Sequence, residues 1–178
     1  MFRFVFLLCS VLAYLFPNSL AQATPPQSTN HPQITSREDG TIVAEAKTSY
    51  SPKQLIDLLN NPIQMSEIDG DIEVVVLHSY ENCKDIQYTI PQLIFSITYT
   101  TKACLEGNRI ELTLLESDDL SEFISFWDIQ PTQDGSFIRY SIRSIPKFPL
   151  PMFVIRSQTQ SAVEDFFEHL LTYINNNP

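Results

Sequence analysis

Phe137-Ile138-Arg139-Tyr140-Ser141-Ile142-Arg143-Ser144 followed by Ile145-Pro146-Lys147-Phe148-Pro149-Leu150-Pro151-Met152 is the stretch that decides the fold. Its first half is apolar at Ile138, Tyr140 and Ile142, with Arg139, Ser141 and Arg143 between them. That period of two marks a strand with one buried face. Its second half holds prolines that forbid a helix interior but suit an extended corner leading into a helix start. After Met152 the period changes. Apolar groups recur at Ile155, Val163, Phe166, Leu170 and Ile174, joined by Phe167 and Leu171, at helical spacing. A helix over 152–174 with so apolar a stripe must lie on a broad apolar surface. The strands before it supply one, and the pairing points to a sheet closing on a helix around a pocket.

Five more strand-like runs lie upstream, at 72–80, 84–90, 94–105, 109–116 and 123–130, with turn signals such as Glu106-Gly107-Asn108 and Gln133-Asp134-Gly135 between most of them. Short connections between consecutive strands imply antiparallel neighbours. An earlier short strand is expected near 41–48. Ser51-Pro52-Lys53-Gln54 then sets a hydroxyl at a helix cap, proline at the first helical position and glutamine three residues past the cap. Leu55, Ile56, Leu58 and Leu59 form that helix's apolar face, and a second short helix is expected around 63–68. The expected fold is α+β: about seven strands in one curved antiparallel sheet, two short helices after the first strand, and a long C-terminal helix.

The N-terminal residues read as an export signal, with an uncleaved signal anchor as the alternative. Arg3 is the only charge before Arg37, the apolar run from Phe4 to Phe16 is too short for a span of about 20 residues, and Ala21-Gln22-Ala23 is the pattern a signal peptidase cuts. The expected division is a signal peptide over 1–23 cleaved after Ala23, a disordered leader over 24–37, and one domain over 38–178. The full chain of 178 residues carries a net charge of −10, with 11 basic and 21 acidic residues. Such acidity disfavours nucleic acid as a partner, because phosphate binding needs basic patches. Removing the signal leaves Cys83 and Cys104. In an oxidising compartment an even pair suggests a disulfide, and a hairpin of 84–90 with 94–103 brings the two near its open end. Two separate buried thiols are the alternative. Their spacing is not that of a zinc site, and neither metal nor other cofactor is expected.

The element order across residues 41–174 resembles that of the START-like superfamily of helix-grip domains, which includes lipid-transfer and polyketide cyclase/dehydrase-type proteins. The local marks are Ser51-Pro52 with Ile56 and Leu59, Tyr88 with Pro91, and Pro149-Leu150-Pro151. The chain departs from the bacterial pattern after Pro91, where Gln92-Leu93-Ile94-Phe95 stands in place of a frequent Arg-Asp pair. The resemblance implies a cavity for a lipid, isoprenoid or other hydrophobic molecule. Candidate lining residues are Val76, His78, Tyr88, Ile97, Tyr99, Leu112, Leu114, Trp127, Tyr140, Thr159, Val163 and Phe167.

No catalytic signature is present. His78 falls on the strand face of Ile72, Val74, Val76 and Tyr80, so it alone of three histidines is placed to reach a pocket. A cyclase- or dehydrase-type enzyme acting through His78, Tyr80 or Arg139 is one alternative. Another is an exported interaction module, since Phe123, Ile124, Phe126 and Trp127 put large apolar groups on both faces of one strand. The polar turn Arg156-Ser157-Gln158-Thr159-Gln160-Ser161 has two readings: it faces a wet cavity, or it breaks the last helix in two. Oligomeric state is not legible.

Overall fold

The computed structural model describes residues 31–70, 72–91 and 96–177. The signal segment, the Ala23 junction and the leader as far as residue 30 lie outside the described residues, as does the Gln92–Phe95 stretch. The elements are β1 (Gln33–Ser36), β2 (Ile42–Thr48), α1 (Pro52–Leu59), α2 (Pro62–Asp69), β3 (Glu73–Ser79), β4 (Cys83–Pro91), β5 (Ser96–Glu106), β6 (Arg109–Ser117), β7 (Leu120–Thr132), β8 (Gly135–Pro146) and α3 (Met152–Asn176). The strands form a single antiparallel sheet in the order β1-β2-β8-β7-β6-β5-β4-β3. A meander from β3 to β8 therefore returns to pair with β2. The two short helices carry the chain from the β2 side of the sheet to its far edge.

The α+β layout is the expected one, with one strand more. Gln33–Ser36 falls in the segment expected to be a disordered leader, yet it pairs with Ile42–Glu45 of β2 as an edge strand. Three of its four side chains are exposed and only Ile34 packs against the core. Main-chain pairing with the edge of β2 therefore defines this strand more than burial does, so its sequence carries no apolar alternation to read.

Local chemistry fixes the helix starts. Gln54 N–H donates to Ser51 Oγ at 3.4 Å, while Ser51 N–H donates to Gln54 Oε1 at 2.9 Å, closing the capping box on α1. Asn61 accepts from Gln64 N–H at 3.3 Å to cap α2. The final helix runs unbroken for 25 residues, which removes the reading of two helices split at the polar turn. Its C-terminal half is the tighter one. Phe167, Leu170 and Ile174 are essentially inaccessible and pack with Ile42, Ala44, Ile129 and Ile138 of the sheet. Each such side chain stabilises the fold by about 1.5–3 kcal/mol relative to exposure. Tyr50, just ahead of the α1 cap, donates its hydroxyl to the Asn177 carbonyl, and Gln64 Nε2 of α2 donates to Tyr173 Oη at 2.8 Å, tying the crossover segment to that same end.

Cys83 and Cys104 stand directly opposite each other on β4 and β5, with Cα atoms 4.1 Å apart, and are joined by a disulfide. The bridge closes the end of the hairpin away from its turn, as the register of the two runs suggested. Peptide mapping without reductant should recover the linked pair. Cys83→Ala should lower the unfolding free energy by about 3 kcal/mol in urea titration, the value expected for a loop of this size.

Gly135 closes the β7–β8 hairpin with φ 142°, and a Cβ there would run into the Thr48 carbonyl oxygen and the Ser49 backbone. Backbone, unlike a side-chain tip, cannot swing aside. Gly135→Ala should therefore cost roughly 2–4 kcal/mol by the same titration, and a loss under 0.5 kcal/mol, typical of a neutral surface change, would contradict the crowding.

Candidate functional site

Cross-strand register explains why the interior is not filled. Ile110, Trp127, Tyr140 and Ala44 stand in one row across β6, β7, β8 and β2. Two residues further along each strand, Ala103, Leu112, Ser125, Ile142 and Ile42 form the next row on the same face. That second row carries two small side chains, Ala103 at its β5 end and Ser125 at its middle. Across from them α3 presents Thr159 and Ala162, also small. Small side chains on both sides leave the space between sheet and helix unfilled. The result is a cavity of about 220 Å³ between sheet and helix, walled on the third side by Leu59, Pro62, Met65 and Asp69 from the two short helices.

The cavity divides the core in two. On one side Trp127 stacks on Tyr140 with ring centroids 4.2 Å apart and on Phe167 at 5.8 Å. On the other, Tyr99 stacks with Tyr88 at 5.3 Å and meets Phe123 at 5.0 Å, in a smaller cluster with Leu120. Rings from both clusters face the space between them, as does Phe166 from α3. The lining is mostly apolar and aromatic, with a few polar tips: the Tyr88, Tyr99 and Tyr140 phenols, Ser125, Thr159, Asn60, Ser66 and Asp69. Burial pushes the Tyr88 phenol up to about 12 and holds that of Tyr99 well above the usual range. Burial raises Tyr140 as well, against a smaller lowering from the Ser125 hydroxyl. All three rings therefore stay uncharged at ordinary pH.

Of the candidates read from the sequence, Tyr88, Tyr99, Leu112, Trp127, Tyr140, Thr159 and Val163 line the cavity. Ile97 and Leu114 share its side of the sheet but pack into the Tyr99–Phe123 cluster. Phe167 lies behind Trp127 as part of the wall's backing, and Val76 is half-buried beside Ile86.

His78 is a correction. Val76 pairs with Ile86 and His78 with Asp85, so Leu77 is an extra residue and the strand bulges. The bulge reverses the alternation. Its imidazole, 69% exposed, lies 3.5 Å from the Asp85 carboxylate on the outer surface, where Tyr80 also donates to Asp85 at 2.9 Å. Arg139 is outside as well, paired with Glu45 at 3.6 Å. None of the three residues considered for chemistry reaches the cavity.

The sequence reading missed the wall made by the short helices, and with it Asp69, which reads only as the start of an Asp69-Gly70-Asp71 turn. Phe123 and Ser125 were within reach of period-two logic, since both share the face of Trp127. The polar turn of α3 contributes one residue to the cavity, Thr159; Ser157, Gln158 and Ser161 are exposed.

No protein-family model matches the sequence, and no curated protein does. Solved structures match the fold over 75–83% of the chain. A START superfamily protein from Mycobacterium smegmatis aligns over 78% of this chain and 99% of its own, with 12% identity and a TM-score of 0.70. The fold is the helix-grip fold of the START superfamily. Two further helix-grip structures show its range. The STAR-related lipid transfer protein from Xanthomonas axonopodis covers 81% of this chain and 98% of its own, at 10% identity and a TM-score of 0.62. The Zhui aromatase/cyclase from a Streptomyces species covers 75% and 90%, at 11% identity and 0.63. Identities this low speak to the helix-grip architecture alone.

The buried phenols give a pH signature. Their folded-state pKa values lie above the ordinary 10.0, so the stability they contribute is intact below pH 10 and is lost as pH rises through the folded values, about 12 for Tyr88. Phenolate absorbance of the native protein should show at least three tyrosines un-ionised above pH 10 until unfolding exposes them. Ionisation of every tyrosine near 10 with the circular dichroism unchanged would contradict this burial.

Proposed function

We propose that the protein is an exported carrier of a hydrophobic small molecule, a lipid, isoprenoid or similar, held between the sheet and α3. The observation that carries this reading is the cavity itself: about 220 Å³ of space walled by aromatic and aliphatic side chains and floored by Ala103 and Ser125. It exceeds the roughly 150 Å³ that suffices for a benzene-sized guest and falls below the range of about 300–1,000 Å³ usual for drug-sized ligands. A single chain or a compact ring system fits that size better than a two-chain lipid. Each Å² of apolar surface such a guest buries contributes about 25 cal/mol before the costs of binding.

Export is supported by the signal pattern ending at Ala23 and by the Cys83–Cys104 bridge, which suits an oxidising compartment. Among the described residues, no helix is long and apolar enough to cross a membrane. A cyclase-type activity has a precedent in the aromatase/cyclase neighbour, but His78, Tyr80 and Arg139 stand away from the cavity, so carriage is the better-supported function. An interaction module is also less favoured. Phe123 and Trp127 are buried on the inner face of β7, and the Arg109 guanidinium covers Phe126 outside, 4.2 Å above its ring.

The protein purified from medium or periplasm should begin at Thr24 and should release an apolar compound into organic solvent for mass spectrometry. Ala103→Leu should empty that extract while keeping or raising the melting temperature, because added methylenes in a void are not overpacked. Loss of fold, or an unchanged extract, would count against the cavity as the site.

A further inference from the structure

We infer that the cavity takes an apolar molecule carrying one neutral oxygen function, an alcohol or a ketone, and holds that oxygen at the sheet wall among Tyr88, Tyr140 and Ser125. The inference rests on the carrier reading and sharpens it to a ligand class. Polar groups at the helical wall are already engaged. Lys84 Nζ, reaching over from β4, donates to the Asn60 carbonyl, Asp69 has a partner of its own, and Ser66 Oγ donates to the Ile63 carbonyl at 2.7 Å.

The sheet wall offers hydroxyls. Tyr88 and Tyr99 are cross-strand partners with their rings stacked at 5.3 Å, while Tyr140 stands on β8, beyond β6 and β7. At about 4.8 Å per strand, Tyr88 and Tyr140 would stand roughly 19 Å apart along the sheet. Their phenols come nearer than that: burial is the main cause of the raised Tyr140 pKa, but Tyr88 adds to it. Ser125, 1% exposed, sets its hydroxyl against the Tyr140 phenol. Thr101 stands between Tyr99 and Ala103 on the same face of β5. It is wholly buried, and among the described residues its Oγ1 has no hydrogen-bond partner. Each hydroxyl carries one donor and two acceptor sites. Two that bond only to each other leave a donor and most of their lone pairs unused in an apolar volume, which is costly. A guest oxygen in that place accepts from a phenol, and an alcohol also donates. A hydrocarbon of the same length satisfies none of them.

The test uses the mature protein, a neutral fluorescent apolar dye in the cavity, and displacement by octan-1-ol, octan-2-one and octane at neutral pH. These three share one chain length and differ in the oxygen. Tyr88→Phe combined with Tyr140→Phe keeps both rings and removes both hydroxyls. The double variant should weaken the alcohol and the ketone by about tenfold, the upper end for one neutral hydrogen bond, and leave octane unchanged. Tyr80→Phe, which removes a phenol from the outer surface, should alter none of the three. Should the double variant not fold, Ser125→Ala carries the same test, with a loss of about threefold for the two oxygenated probes.

No loss, or an equal loss for all three probes, would overturn the oxygen site and leave the carrier reading standing. So would octanoate binding more tightly than octan-1-ol and losing that advantage in Lys84→Met, since the polar end would then be an acid. If neither the dye nor any probe binds, the cavity is not a ligand site and both readings fail.

Discussion

The structure depends on how the C-terminal half of α3 seats against the sheet. Phe167, Leu170 and Ile174 are buried to the last few per cent, and they meet the residues where the chain's early and late strands come together, Ile42 and Ala44 of β2 with Ile138 of β8. That contact closes the meander. Without it β2 has no reason to lie beside β8, and the two crossover helices have no surface to span. The ties from Tyr50 to Asn177 and from Gln64 to Tyr173 gather at the same end, so most of the fixed geometry is concentrated there.

This concentration frees the other half of the helix from structural duty. Between Thr159 and Phe166 the helix faces a part of the sheet where Ala103 and Ser125 stand in place of larger residues. Close packing is the normal condition of an interior, and an unfilled volume forfeits dispersion contacts. The chain bears that cost at one end because the other end is well packed. A second small cluster, Tyr99 with Leu120 and Phe123, supports the sheet beyond the void and keeps its far side from collapsing inward. The Cys83–Cys104 bridge acts on the same region, pinning β4 to β5 where the helix gives the least help.

The fold was legible because its signals are local and repeated. The alternation of Ile138, Tyr140 and Ile142, the capping box at Ser51 and the proline corner before Met152 each specify one element, and their order specifies the architecture. Period two also placed Tyr99, Leu112, Trp127 and Tyr140 on one face. It failed at His78 for a definite reason: one extra residue in a strand reverses every side chain after it, and a bulge leaves no compositional mark in a run as apolar as Val74-Val75-Val76-Leu77. Strand β1 was missed for the opposite reason, since its definition comes from the edge it pairs with and not from its own residues.

What a period cannot say is where along a strand the space lies. Ile97 and Tyr99 share a face, yet only Tyr99 borders the void; Val163 and Phe167 share a helix stripe, yet only Val163 does. The distinction is set by which part of the sheet meets the anchored half of the helix, a property of the assembled curvature. Asp69 is the furthest case. In sequence it is turn punctuation, about thirty residues from Tyr99 and seventy from Tyr140. Only the crossover of α1 and α2 from one side of the sheet to the other brings it into the same cavity lining as those rings. The charge of the site is thus written in the topology, and its apolar character in the alternation, which is why the second could be read early and the first could not.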